Sequence, residues 1–142
     1  MPKKFSIIGT GLVCGLLVPL LGAEKKAAPD LSKLPPAAKQ QVDFAKDIKP
    51  LFEKSCLKCH SGEKPKSKYR LENREAAIKG GESGDAAIIP GKSEKSPMIH
   101  YVSDSVEDME MPPTEKRDKY PALTKDQIGL LRAWIDQGAK WE

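Results

Sequence analysis

The clearest hydrophobic pattern in this chain lies near its C-terminus and predicts an amphipathic helix over residues 125–137. The apolar positions recur at helical spacing on one face, at Ile128, Leu131, Trp134 and Ile135. Thr124 precedes this run and Gln127 follows three positions later, which is the pattern of a capping box. Gly138 stands where a left-handed residue commonly ends a helix. The apolar face of this helix needs a partner.

A second apolar face lies upstream, at Phe44, Ile48, Leu51 and Phe52. Pro50 would damage a helix interior but is tolerated in a first turn, so we expect this helix to begin near Asp47 as its N-cap. This lead-in helix is the natural partner for the C-terminal helix. The pattern therefore predicts a small all-α domain in which the two terminal helices pack across each other.

Two shorter helices are predicted between the terminal ones. Asn73 has the character of an N-cap for a helix that runs to about Lys79. Ser96 followed by Pro97 indicates a second helix start, because proline is favoured at the first helical position. Met98 lies in that helix, and we expect it to belong to the core.

The N-terminus has the features of an export signal. Lys3 and Lys4 form a basic start, an apolar stretch follows over residues 5–21, and Ala23 offers a small residue for cleavage. We therefore predict a signal peptide over residues 1–23 and a periplasmic or otherwise extracytoplasmic location. The alternative is an uncleaved anchor that tethers the domain to the outer face of the membrane.

Residues 24–41 are rich in alanine, lysine and proline and show no helical or alternating apolar period, so we predict a flexible leader there. Organised sequence continues to the C-terminus, which gives one small domain at residues 42–142. The formal net charge of the chain is +4, and two of its positive charges lie in the predicted signal peptide. The balance that remains is too weak to indicate nucleic-acid binding.

The most distinctive chemistry is concentrated in Cys56, Cys59 and His60, where two thiols three positions apart are followed at once by an imidazole. This is the c-type haem attachment pattern. Two cysteines on one helical turn can reach the two vinyl groups of a porphyrin as thioethers, and the histidine is then carried under the iron. The motif predicts one covalently bound haem c with His60 as the proximal axial ligand.

Three other interpretations of the motif remain open from the residues alone. Cys56 and Cys59 could form a structural disulfide or a thioredoxin-like redox pair, although neither needs His60. A zinc site could add His60 and His100 to the two cysteines. Adjacent Cys59 and His60 make awkward tetrahedral ligands, however, so haem is favoured.

The second axial ligand is sought among the methionines. Met111 precedes Pro112 and Pro113, which restrict the backbone and could hold the thioether toward the iron with little entropy left to lose. Met111 is therefore the favoured distal ligand, with Met109 and His100 as alternatives. A His/Met iron is expected to have a higher reduction potential than a bis-His iron.

Residues 42–141 resemble the planctomycete-type cytochrome c domain, a branch of the class I cytochrome c fold. The matching stretches include Asp43-Phe44, Cys56 to His60, Arg70-Leu71, Gly80-Gly81, Ile89-Pro90-Gly91-Lys92, Ser96-Pro97, Met111-Pro112-Pro113, Leu123-Thr124, Trp134-Ile135 and Gly138-Ala139. The resemblance implies haem attached at Cys56 and Cys59, with His60 and Met111 as axial ligands. The chain departs from the family pattern at Ser61-Gly62, where the family usually has glycine directly after the haem histidine, and at Lys68-Tyr69, where it usually has Gly-Leu. A different proximal loop is therefore expected.

The sequence favours a mono-haem electron carrier rather than an enzyme, with no small-molecule substrate. We expect redox proteins as partners, no nucleic acid, and a membrane only if the signal is uncleaved. Trp134 and the apolar helix face around it are expected to shield the bound ring from water. Four lysines near the motif could guide an acidic partner, at Lys58, Lys64, Lys66 and Lys68. The alternatives are a haem enzyme or gas sensor with an open sixth position, and a binding module whose haem is structural.

Overall fold

The computed structural model describes residues 27–142, and within them the regular structure is helical, without a strand. The α-helices are α1 (Lys49–Ser55), α2 (Arg74–Lys79), α3 (Pro97–Val102) and α4 (Lys125–Asp136). Short turns of helix lie at Leu31–Lys33, Phe44–Ile48, Lys66–Lys68, Ser93–Lys95 and Thr114–Lys116. The all-α prediction is confirmed, and the arrangement is consistent with a small cytochrome c-like fold.

The lead-in helix begins earlier than its sequence predicts. A π-helical turn at Phe44–Ile48 runs directly into α1, and Pro50 lies in the first turn of α1. Asp43 is the N-cap, because its carboxylate accepts a hydrogen bond from the backbone N–H of Lys46 at 2.9 Å. Asp47, the predicted cap, instead accepts a hydrogen bond from the backbone N–H of Asp43 at 2.9 Å. The two carboxylates thus share the capping of one helix start.

The C-terminal helix α4 agrees closely with its sequence pattern. The Thr124 hydroxyl accepts a hydrogen bond from the N–H of Gln127, and the Gln127 side chain accepts one from the N–H of Thr124. This confirms the capping box. The helix ends at Asp136, one residue before the predicted end, and Gly138 has φ +101°, as a left-handed cap requires.

The core lies where the lead-in helix crosses α4. Phe44 and Phe52 pack against Trp134 with ring centroids 5.8 and 5.9 Å apart, and Trp141 stacks on Phe44 at 4.2 Å. Around the rings lie fully buried aliphatic side chains, among them Ile48, Ile99, Leu131 and Ile135. The predicted packing of the two terminal helices is confirmed.

The two middle helices also begin where the sequence predicts. The Asn73 side chain caps α2 by accepting from the N–H of Ala76 at 2.9 Å. Ser96 occupies the N-cap position of α3, but its hydroxyl accepts from the N–H of Ile89 and donates to the carbonyl of Lys92. Ser96 therefore ties the preceding loop to α3 rather than capping the helix. Met98 is buried in the core, as expected.

Residues 30–41, here called the N-terminal strap, lie against the helices. The N–H of Asp30 donates to the carbonyl of Ser105 at 2.8 Å, and the N–H of Ala38 donates to the carbonyl of Gly129 at 2.9 Å. The leader predicted over residues 24–41 therefore makes backbone hydrogen bonds to the rest of the domain from Asp30 onward. These bonds satisfy backbone groups that a segment without regular structure leaves unpaired. Apolar side chains of the strap also pack against the core, at Leu34, Ala37 and Ala38.

The predicted signal peptide, residues 1–23, lies outside the residues that the structure describes, as do residues 24–26 of the predicted leader. Within residues 27–142, no helix combines the length and the apolar character that crossing a bilayer requires.

Gly129 is the point at which the strap comes closest to α4. A Cβ at this position would lie 2.9 Å from the carbonyl oxygen of Pro36, closer than real Cβ contacts come. Glycine is a poor helix former, yet only glycine lets the strap backbone approach the helix so closely.

We expect the Gly129→Ala substitution to destabilise the protein, although glycine to alanine in a helix normally stabilises by about 0.5–1 kcal/mol. The added methyl group would push the Pro36 carbonyl away, at a cost of about 1–3 kcal/mol. Denaturant unfolding measures the free energy, and hydrogen exchange should show lost protection of the Ala38 amide. Equal or greater stability, with unchanged hydrogen-exchange protection of the Ala38 amide, would contradict this packing.

Candidate functional site

The haem motif begins where α1 ends, and backbone hydrogen bonds fold it into a compact turn. The N–H of Cys56 donates to the carbonyl of Phe52 at 2.9 Å, which continues the helical pattern by one residue. The N–H groups of Cys59 and His60 then both donate to the carbonyl of Cys56 at 3.1 Å. Because one carbonyl accepts both hydrogen bonds, the two thiols and the imidazole are held on one short turn.

A mainly apolar cavity of about 490 Å³ lies beside this turn. Its volume falls within the range of about 300–1,000 Å³ that is common for ligand and cofactor pockets. Side chains from three helices contribute to its wall, including Phe52, Tyr101 and Leu131. The structure brings all the sequence-predicted site residues to this one cavity: Cys56, Cys59, His60 and Met111.

The alternative axial ligands are distributed differently. Met109 lines the same cavity, as does Met98 from the core side. His100 is directed elsewhere, because its Nε2 lies 2.7 Å from the carbonyl oxygen of Glu94. His100 is thus engaged with the backbone of a neighbouring turn, whereas the methionines remain at the cavity wall.

The environment of the two thiols favours neither a thioredoxin-like redox pair nor a zinc site. Cys56 and Cys59 are free thiols, and burial, together with the neighbouring Cys59 thiol, raises the pKa of Cys56 to about 12. A thioredoxin-like pair needs a thiolate with a lowered pKa. Within residues 27–142, no group of three or more histidine, cysteine or acidic side chains is arranged to hold a metal ion.

His60 is held in an apolar environment beside the cavity. Burial lowers the pKa of the imidazole, and nearby backbone groups of Tyr69 and Lys66 offset this only in part. Its Nδ1 is buried and makes no hydrogen bond to any residue from 27 to 142. Buried polar atoms are rarely left unpaired, so the ring is suited to a ligand from outside the chain. With two thiols and a thioether at the same cavity, these residues fit a haem.

The loop that follows His60 is fixed by bonds back to the motif. The N–H of Lys66 donates to the carbonyl of Cys59, and the N–H of Leu71 donates to the carbonyl of His60, both at 2.8 Å. The ring of Tyr69 lies edge-on to that of His60, with centroids 5.2 Å apart. Tyr69 is one of the residues at which the chain departs from the family pattern, and the sequence offered no indication of this contact.

Arg70 and Gly81 hold the same loop from outside. Arg70 donates to the carbonyl of Gly62 and pairs with Glu72 at 2.9 Å. Gly81 lies so close that a Cβ there would be 2.3 Å from the carbonyl oxygen of Ser67. Its φ is not positive, so the glycine is needed for this close approach and not for a left-handed turn.

Met111 lines the cavity from the loop between α3 and α4. Its N–H donates to the carbonyl of Tyr101 at 3.0 Å, which ties the loop to the end of α3. Of the apolar helix face expected to shield the ring, Leu131 lines the cavity together with Phe52, whereas Trp134 does not. Trp134 packs behind Phe52 in the core and donates from its indole N–H to the carbonyl of Lys140.

Comparison with known families agrees with this geometry. Residues 56–115 match the family model described as Planctomycete cytochrome C, a stretch that starts at Cys56 and includes Met111. No curated protein and no solved structure matches the chain. The family indicates haem binding and electron transfer, and such domains are typically extracytoplasmic. Together with the helical fold and the cavity beside the haem motif, the match over residues 56–115 supports a planctomycete-type cytochrome c domain.

Proposed function

We propose that this domain is a mono-haem cytochrome that carries single electrons outside the cytoplasm. In this proposal Cys56 and Cys59 attach the haem covalently, and His60 and Met111 are its axial ligands. The observation that carries it is the convergence of these side chains on one apolar cavity of suitable volume. The domain binds no small-molecule substrate and is not an enzyme.

Bound haem supplies an iron centre that gains and loses one electron. The chain contributes retention, ligation and exclusion of water. The thiols of Cys56 and Cys59 keep the group in place once they are converted to thioethers, which matters in a compartment where free cofactor would diffuse away. The lowered pKa of His60 keeps its imidazole neutral at pH 7, and a neutral ring has a lone pair available for a metal.

Met111 supplies a neutral, soft sulfur donor. A thioether favours the reduced iron relative to a second histidine, so a His/Met site has the higher potential. An apolar wall acts in the same direction, because it disfavours the additional charge of the oxidised centre. A carrier with both axial positions closed changes little between its two oxidation states.

The expected partners are redox proteins with acidic surfaces. Lys58, Lys64, Lys66 and Lys68 are exposed, and Lys66 lines the cavity that would hold the haem. Positive side chains at such a position would steer an acidic partner toward the haem. Nucleic acid is not expected, and contact with a membrane is expected only if the N-terminal signal remains uncleaved.

The proposed ligation is tested by the optical spectra of the oxidised and reduced protein. We expect the weak near-infrared band of methionine sulfur bound to ferric iron in the unaltered protein, and its complete loss in Met111→Ala. Met109→Ala should retain the band, and this variant is the matched control because Met109 lines the same cavity. Retention in Met111→Ala with loss in Met109→Ala would assign the ligand to Met109.

If covalent haem is present without that band, and added ligands bind the iron readily, a haem enzyme or gas sensor becomes the better interpretation. The same spectra therefore separate the proposed carrier from its main alternative.

Covalent attachment is tested by extracting the denatured protein with acidic organic solvent. We expect all haem to remain with the unaltered chain after extraction. Any haem bound by the Cys56→Ser, Cys59→Ser double variant should be released, because a hydroxyl forms no thioether. Haem released from the unaltered protein would contradict covalent attachment. Haem quantified against protein should give one per chain, and a ratio of two would exclude the mono-haem proposal.

The basic surface is tested by electron exchange with small redox complexes of opposite charge. At low salt, we expect the Lys58→Glu, Lys66→Glu double variant to exchange electrons several-fold more slowly with an anionic complex than the unaltered protein does. Its exchange with a cationic complex should be faster. At 1 M salt, where the screening length is about 3 Å, the differences should largely vanish. Lys39→Glu in the N-terminal strap is the control, and an equal effect there would remove any special role for Lys58 and Lys66.

A further inference from the structure

Arg117 makes a three-part contact within the loop that carries Met111. Its two terminal nitrogens, Nη1 and Nη2, donate to the two carboxylate oxygens of Asp104 at 2.9 and 2.7 Å. Its Nε donates to the backbone carbonyl of Pro112 at 3.0 Å. A single guanidinium therefore joins the residue after Met111 to the turn that follows α3.

The Asp104 side of this contact is itself well anchored. Asp104 has φ +55° in the turn that ends α3, and its carbonyl accepts a hydrogen bond from the Lys33 ammonium at 2.8 Å. Its neighbour Ser105 accepts from the N–H of Asp30 at 2.8 Å. Arg117 is thus bonded to a turn that is fixed both by a helix and by the N-terminal strap.

The Pro112 side of the contact lies directly beside the candidate ligand. Pro112 is buried, and Met111 before it donates from its N–H to the carbonyl of Tyr101 at 3.0 Å. Met111 consequently has one backbone anchor at its own N–H and a second at the carbonyl of the next residue. The first is made by α3, and the second depends on Arg117.

Only arginine can make this set of contacts from one side chain. Guanidinium presents its N–H donors in a rigid planar fork, which binds a carboxylate through two bonds while a third donor remains free. A lysine ammonium would keep the charge but could not reproduce the paired bonds to Asp104 together with the bond to Pro112. The ion pair is partly exposed, with side-chain exposures of 25% and 41%, so its geometry matters more than its charge.

We propose that Arg117 is a positioning residue that holds the Met111 loop against the cavity and so keeps the sixth position of the iron closed. This rests on the proposed ligation by Met111. Loss of the Arg117 contact would leave Met111 with its single bond to Tyr101, and the loop would open more often. A closed site competes with any external ligand, so a larger open fraction strengthens the apparent binding of that ligand in proportion.

The test uses the haem-loaded protein and imidazole as the competing ligand. We expect Arg117→Lys and Arg117→Gln to bind imidazole about tenfold more tightly than the unaltered protein, in proportion to the larger open fraction. The near-infrared band should also disappear at a lower denaturant concentration than global unfolding. Asp104→Asn, which keeps the shape of the side chain and one acceptor, should have a smaller effect in the same direction.

Arg70→Gln is the matched control. Arg70 also joins a carboxylate to a backbone carbonyl, through Glu72 and Gly62, but it does so on the loop that follows His60. A residue whose contribution is only to general stability would behave like Arg70. We therefore expect Arg70→Gln to leave the imidazole affinity unchanged, even if both variants lower the global unfolding midpoint.

The outcomes separate this proposal from the ligation on which it rests. A methionine band in the unaltered protein, with imidazole affinity unchanged in Arg117→Lys and Asp104→Asn, overturns the role of Arg117 and leaves Met111 as the ligand. An affinity that rises equally in Arg70→Gln also overturns it. Absence of the band from the unaltered protein overturns the proposed ligation, and the role of Arg117 falls with it.

Discussion

The packing of the lead-in helix against α4 sets the position of everything that follows in the site. Phe52 is the link, because its ring packs against Trp134 in the core and also forms part of the cavity wall. Its carbonyl accepts the hydrogen bond from the N–H of Cys56 that starts the haem motif. The orientation of the motif relative to the cavity is therefore set by the same contact that joins the two terminal helices.

The two parts of the site that carry candidate ligands are held in different ways. His60 is fixed by short-range bonds around the motif and by the loop through Leu71. Met111 lies far along the chain, in a loop that depends on bonds to the end of α3. Short-range contacts cost little chain entropy, whereas the long loop must be restrained at several points to hold one side chain in place. The more adjustable ligand is thus expected to be Met111.

Burial is the largest cause of the altered pKa values around the cavity. Burial disfavours charged forms, and it raises the pKa of Cys56 and of Tyr69 while it lowers that of His60. Each group is consequently neutral near pH 7. Neutral side chains of this kind leave the cavity apolar, which suits a largely apolar cofactor.

The sequence by itself determined the helical class, the haem motif and the ends of α4, because these depend on residues that are close in the chain. Thr124 and Gln127 cap their helix through local bonds, and hydrophobic spacing identified the two faces that pack together. It placed the N-cap of the lead-in helix at Asp47, whereas Asp43 caps the π-helical turn that runs into α1. It also did not identify the ordered strap, since a proline-rich segment without periodicity gives no indication of its partners. Only the tertiary structure decided three features of the site and its support. Met111 lines the same cavity as the haem motif, the strap approaches α4 closely at Gly129, and Arg117 bonds to Asp104 and Pro112. Each feature joins residues whose proximity depends on how the helices pack.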